Sequence, residues 1–236
     1  MKYADLPARR GDLQEVINMK EIQFDSYEEI ENRILIKPAY MNKKFMEEAE
    51  RRPFIYLNRS GDIALVPHVI VSDTDDALMT VKINKETAEQ WEQNADIYDI
   101  YLDGIKNTAK RFKPMVSASV YDVKEHAQSL MQVECITSDM FLITTDGNGN
   151  GAIAMWYAGV RRHISHLLGD TNFYVAFTSR NEAIIHKEGT IDVSSMRRNI
   201  RETNRIFGDA DTLSNEVWKY TAGPNFMKAT FAPVLE

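Results

Sequence analysis

The stretch FLITTDGNGNGAIAMWYAGVRRHISHLLGD, residues 141–170, sets the reading of the fold. FLITT is an apolar β-like run, TDGNGNG is turn chemistry, and AIAMWYA is a second β-like run. Gly147, Asn148, Gly149, Asn150 and Gly151 suit the positive φ angles of a tight turn. The next segment places Val160, Ile164, Leu167 and Leu168 on one helical stripe. The expectation is a hairpin followed by an amphipathic helix, the repeating unit of an antiparallel α+β fold.

The same turn raises a calcium question. Asp146, Asn148, Asn150 and Gly151 fill the first, third, fifth and sixth places of a calcium loop. The twelfth place, which needs a bidentate carboxylate, is Tyr157. The flanks are β-like rather than helical, so the hairpin is the reading and no metal site is expected.

Working outward, FYVAFT and AIIHK are strands around the turn SRNE, and DVSSMRRNIRETNRIF is an amphipathic helix capped by Asp192 or Ser194. EVWKY is a last strand, and GPNFMKATFAPVLE an irregular tail. On the N-terminal side, SYEEIENRILIKPAYMNKKFMEEAERR reads as two helical pieces broken at Pro38. FIYLN, DIALVPHVIV and DALMTVKIN form a β-meander. KETAEQWEQ and ADIYDIYLDGIKNTAKRF are helices, the second with a stripe of Ile97, Ile100, Tyr101, Ile105 and Phe112. Residues 114–126 are a possible linker, which divides the chain into halves 1–113 and 114–236 unless the two form one continuous domain. The fold class is α+β, with mostly antiparallel sheets and amphipathic helices packed on them.

Composition bounds the function. The chain has 236 residues, 44% of them apolar, with 28 basic against 35 acidic side chains for a formal charge of −7. That balance argues against a surface devoted to nucleic acid, though not against a local basic patch. The lone Cys135 permits no intrachain disulfide, and within VECIT it reads as a buried or inert thiol. Neither a signal-peptide core nor a membrane-length apolar run is visible, so a cytoplasmic protein is expected.

Three further constellations carry candidate chemistry. His163 and His166 are spaced to share a helix face, but no carboxylate or cysteine one turn away completes a zinc set. In FTSRNE, Ser179, Arg180 and Glu182 sit in a turn after a strand, with His186 four residues on. Ser, Glu and His are the types used in nucleophilic catalysis, yet strand geometry holds residues four apart at roughly 13 Å and no G-x-S-x-G elbow is present. A turn whose side chains bond backbone amides, or a ligand contact, are the alternatives. Arg197, Arg201 and Arg205 recur every four residues beside a stripe of Val193, Met196, Ile200 and Phe207. With Arg198 and Glu202 that helix carries +3, and Arg161 and Arg162 lie on the other amphipathic helix. A solvated face and an anion or acidic-partner site both account for the ridge.

Several motifs in one order resemble a bacterial domain family of unknown function, common in gut-type anaerobes and mobile elements. They are Asn42-Lys43, Pro53, Asp62-Ile63-Ala64, Asn84, Trp91 and Asn107-Thr108. Gly151-Ala152, the helix at Gly159, FTSRNE, Asn204, Leu213-Ser214, Val217-Trp218 and Tyr220 continue the series. Ala109 stands where the family has proline, Asn181 where it has histidine, and Phe177 where it has proline. The resemblance runs from about residue 26 to residue 221, and the chain is expected to lack most of the family's N-terminal region.

The resemblance implies a fold more than an activity, and the displaced histidine weakens an inherited catalytic turn. It places the expected role in phage or mobile-element biology. That role is a non-catalytic binding protein, counter-defence or regulatory, acting on a host protein or an anionic ligand. The expected binding residues are Arg161, Arg162, Ser179, Arg180, Glu182, Arg197, Arg201 and Arg205, with no catalytic residue and no cofactor. The alternative is a hydrolase of a phosphate- or nucleotide-like substrate using Ser179, Glu182 and His163 or His166. Nucleic-acid binding stands third.

Overall fold

The computed structural model describes residues 26–58, 61–74, 77–91, 95–118, 126–146, 150–208, 211–223 and 229–235. Its first sheet holds β1 (Ile34–Tyr40), β2 (Ile63–Asp73) and β3 (Leu78–Lys82), in that order and antiparallel. Helices α1 (Lys43–Arg51), α2 (Lys85–Gln90) and α3 (Ile97–Arg111) accompany it. The remaining strands are β4 (Pro114–Ser117), β5 (Gln128–Ser129), β6 (Met140–Thr145), β7 (Phe173–Ala176), β8 (Ala183–Lys187), β9 (Val217–Thr221) and β10 (Thr230–Pro233). They form a seven-stranded antiparallel sheet in the order β10-β9-β7-β8-β6-β4-β5. Helices α4 (Val160–Leu167) and α5 (Val193–Phe207) complete the α+β architecture. The largest core spans both sheets, joining Ile36, Ile63 and Leu65 to Phe141, Ile143, Ile164, Phe173 and Ile185.

The first departure from the sequence reading is β1. ILIKPAY is a strand, not the end of a helix, and it takes the meander place expected for FIYLN. FIYLN itself makes only isolated bridges, Phe54 to Asn84 and Leu57 to Leu65. Apolar groups cover both faces of β1, which erases the alternation that marks a half-exposed strand. Pro38 fits because β1 is an edge strand. The Ile36 amide turns outward to Thr108 Oγ1 at 2.8 Å, and two residues on the Pro38 nitrogen points the same way, so no ladder bond is lost. Thr108 in turn donates to Gly104 O at 2.6 Å, and Asn107 Nδ2 donates to Glu31 O at 2.6 Å and Ile34 O at 3.2 Å. The Asn-Thr pair of α3 thus covers an open sheet edge.

The second departure is the expected hairpin. Gly151–Trp156 is a 3₁₀ helix, and its first five residues are buried. Small apolar residues buried on every side give no period, so strand and helix look alike in sequence. Asn150 enters the helix in the left-handed region at φ 59°. Asp146 exchanges bonds with the Lys113 backbone, its Oδ1 accepting from Lys113 N at 2.9 Å. Tyr157, at the calcium loop's twelfth place, is buried. Gly147, Asn148 and Gly149 lie outside the described residues.

Smaller corrections follow from packing. On α3 the buried line is Ile100, Gly104 and Thr108, while Ile97 is 41% exposed. Residues 114–117 are strand β4 rather than linker, and 119–125 lie outside the described residues. Cys135 is exposed in an irregular segment rather than buried in a strand. The expected tail contains β10, paired to β9 and packed by Phe231 against Trp156 and Trp218. Other expectations hold: Asp192 caps α5 by accepting from Ser195 N at 2.8 Å, and Val160, Ile164, Leu167 and Leu168 are the buried stripe of α4. Met196 and Ile200 are buried on α5, and the Phe207 side chain lies outside the described residues.

A polar joint ties the sheets together. Asp62 accepts from Ser214 Oγ at 2.6 Å and from Asn215 N at 2.9 Å. Asn215 Nδ2 donates to Tyr40 Oη at 2.6 Å, and Asn204 Nδ2 donates to Ser214 O at 2.8 Å. Trp218 Nε1 donates back to Ser214 Oγ at 3.2 Å.

Two substitutions test this account by urea unfolding. Asp62→Ala strands two donors and is expected to cost about 2–4 kcal/mol. A Cβ on Gly151 would lie 2.0 Å from Asn181 O and 2.8 Å from Thr144 Cα, so Gly151→Ala is expected to cost about 3 kcal/mol or more. Gly159→Ala meets nothing within 4 Å and bears only the strain of φ 82°, roughly 1–2 kcal/mol.

Candidate functional site

The turn after β7 is held from three sides. Ala152 N donates to Arg180 O at 3.0 Å, Asn150 N to Asn181 Oδ1 at 3.2 Å, and Thr144 Oγ1 to Asn181 O at 2.8 Å. Asn181 therefore clamps the turn to the 3₁₀ helix with its side-chain oxygen. Ser179 Oγ accepts from Asn181 N at 3.1 Å, and Glu182 accepts from the Thr178 hydroxyl at 3.3 Å. Ser179 and Glu182 thus act within the turn, and Arg180 is the exposed group that it presents.

The histidines proposed as its partners are engaged elsewhere. His163 Nε2 donates to Leu130 O at 2.9 Å, and His166 Nδ1 pairs with Asp170 at 3.2 Å. His186 sits in β8, its pKa lowered by burial. A shallow groove of about 430 Å³ lies beside α4, lined by Gly159, Arg162, His163, His166 and Asp170. Among the described residues, no group of three His, Cys, Asp or Glu side chains gathers in a metal-holding arrangement.

The arginines divide. Arg161 bonds Met155 O and lies 4.8 Å over the Phe231 ring, holding β10. Arg197 has only 11% of its side chain exposed, donates to Val234 O at 2.8 Å and approaches Glu216 at 3.7 Å. Both brace the C-terminal strand. Arg198, Arg201 and Arg205 are exposed and, with Ser194, Arg197 and Glu202, line an open groove of about 460 Å³ along α5.

One cluster was not visible in the sequence. Lys37 on β1 donates from Nζ to Thr80 Oγ1 on β3 at 2.7 Å, and His68 Nδ1 on β2 lies 3.1 Å from the same hydroxyl. Burial, then the positive charge of Arg180, lowers the Lys37 pKa. Burial, then Lys37, Lys82 and Arg180, holds His68 well below the usual imidazole range. Lys37, His68 and Thr80 come from three different strands, β1, β2 and β3. Only the antiparallel pairing of β1, β2 and β3 unites them.

The chain belongs to a family of unknown function, DUF5688, whose model matches residues 8–222. The match begins earlier than the resemblance read from residue 26. No curated protein and no solved structure matches the chain. Among the described residues, no helix is long and apolar enough to cross a membrane.

His68 makes acid stability a test of this cluster. Its unfolded form ionises near the ordinary 6.5, whereas the folded form stays neutral well below that. The folded state then binds fewer protons, so His68's contribution is present above about 6.5 and is lost as pH falls below it. Thermal unfolding of His68→Gln is expected to fall less steeply from pH 7 to 5 than that of the native chain, with His186 common to both.

Proposed function

We propose that this member of DUF5688 is a non-catalytic binding protein that recognises an acidic protein partner through α5. The observation that carries it is the groove of about 460 Å³ in which Arg198, Arg201 and Arg205 gather around the single carboxylate of Glu202. In a chain of formal charge −7, a helix of net +3 is a local reversal of sign. Such a face steers an acidic partner and gives its carboxylates paired guanidinium donors. Arg197 backs the face and is committed to Val234 O just after β10 and to Glu216 just before β9, so it positions more than it contacts. A phage or mobile-element setting, in which the partner is a host protein in the cytoplasm, fits the resemblance of the motifs. The hydrolase alternative has less support, because Ser179 Oγ receives a backbone amide and the candidate histidines His163 and His166 bond Leu130 and Asp170.

The test is affinity purification of the tagged chain from its host, with mass spectrometry of what co-purifies. Arg198→Glu/Arg205→Glu reverses two exposed charges two turns apart and is expected to change stability by less than about 0.5 kcal/mol. Loss of a stoichiometric acidic partner from the folded double variant supports the reading. Unchanged capture removes this face, and capture of nucleic acid that vanishes steeply with salt replaces the protein partner with a polyanion.

A further inference from the structure

Helix α5 presents more than arginines. Helical spacing sets Ser194, Arg198, Glu202 and Ile206 in one row along it, with Arg201 and Arg205 in the next. All six are exposed, and Ile206 keeps 79% of its surface in water. Glu202 lines the groove of about 460 Å³ together with the arginines. It stands one turn after Arg198, three residues before Arg205 and one turn before Ile206.

The helix itself does not account for Glu202. Among the described residues its carboxylate makes no ion pair, although Arg198 and Arg205 are its neighbours on the helix surface. Arg198 instead reaches back to Ser195 Oγ at 3.4 Å. An acid four residues after a base is the weaker order for a helical pair, and the place where a cation would help, four residues on, is Ile206. Glu202 has no part in the N-cap either, which Asp192 supplies.

Both residues act instead on what the face admits. A nucleic acid laid along α5 brings phosphates to Glu202 as well as to the arginines, and like charges held opposite each other oppose binding. It also leaves the apolar side chain of Ile206 unused. A protein surface meets every group at once: carboxylates on the guanidiniums, a lysine or arginine on Glu202, and an apolar side chain on Ile206. Specificity of this kind needs a repulsive element as well as attractive ones. The charge order of Arg198, Glu202 and Arg205, positive, negative and positive over roughly 10 Å of helix, also fixes the partner's register, which an unbroken basic row leaves free.

We propose that Glu202 and Ile206 set the selectivity of the α5 face, restricting it to an acidic protein surface that carries one cation opposite Glu202 and an apolar group opposite Ile206, and rejecting uniform polyanions. This rests on α5 being the docking face and names the chemistry of what docks there.

The experiment compares variants of the full chain in two assays, capture of the acidic partner from the host over a series of chain concentrations and elution by salt from heparin, a uniform polyanion. Glu202→Gln is expected to weaken capture by about fivefold or more and to raise the salt needed for elution. Ile206→Ser is expected to weaken capture by about the same factor and to leave elution unchanged. Glu47→Gln, which removes an exposed carboxylate from α1, is expected to change neither. Arg198→Glu/Arg205→Glu, run in parallel, separates the two ways of failing. If it loses the partner while Glu202→Gln and Ile206→Ser keep native capture, the α5 face stands and its proposed selectivity is overturned. If it keeps the partner, the α5 reading itself falls and takes the selectivity with it. A gain on heparin by Glu47→Gln equal to that of Glu202→Gln also overturns the proposal, since net charge alone then sets the response.

Discussion

The carboxylate of Asp62 is the constraint on which the relation between the two sheets depends. It stands at the start of β2 and takes the Ser214 hydroxyl and the Asn215 amide, which lie just before β9. Groups more than 150 residues apart in sequence are thereby fixed at hydrogen-bond distance. A carboxylate has acceptor capacity for both, and a charged acceptor makes each bond stronger than a neutral one. Around it, Tyr40, Asn204 and Trp218 use their polar atoms on Asn215 and Ser214, so the loop before β9 is satisfied from both sheets. The apolar core could be packed in more than one way. Directional bonds of this kind select one.

This joint also explains which parts of the family resemblance matter. Asp62, Asn204, Ser214 and Trp218 belong to separate motifs in sequence, and the structure brings them into one network. Asn42 and Asn84 cap α1 and α2, and Asn107 and Thr108 cover the edge of β1. The matching residues are those that satisfy backbone groups or join elements. A match built on such positions carries a fold well and says little about an activity, because catalysis requires side chains left available to substrate.

Legibility in sequence followed burial geometry. Helices α3, α4 and α5 are readable because one face is buried and the other is wet, which leaves a period in the sequence, whereas β2 reads as a strand from a continuous apolar run bounded by turn residues. β1 and the 3₁₀ helix differ from the sequence reading for the opposite reason: Ile34–Ile36 and Gly151–Met155 are runs of consecutive buried residues, which hold no period to distinguish strand from helix. Pro38 added a false helix break, since a proline on an outward-facing edge position leaves the strand intact. The sequence puts the arginines of α5 on the right helix, but Arg197 turns to Val234 and Glu216, and Arg161 to Met155 and the Phe231 ring. No local signal assigns an arginine to a strand that lies beyond the next loop.

The stretch around Asn150 and Gly151 is where fold and function meet. Its glycine is required because the Asn181 carbonyl passes where a Cβ would stand, and its asparagine adopts a left-handed conformation that aims the Asn150 amide at the Asn181 side chain. What looks in sequence like a loop designed to bend is a clamp on the neighbouring turn. A clamped turn holds its exposed side chain in place at lower entropic cost than a mobile one, and that side chain is Arg180. The bonds from Ala152, Thr144 and Asn150 fix the backbone on both sides of that residue, so the turn keeps its shape although its side chain faces solvent. Asp62, Thr108 and the shared core in the same way over-determine the positions of β1 and β2, each strand being held by directional bonds as well as by packing.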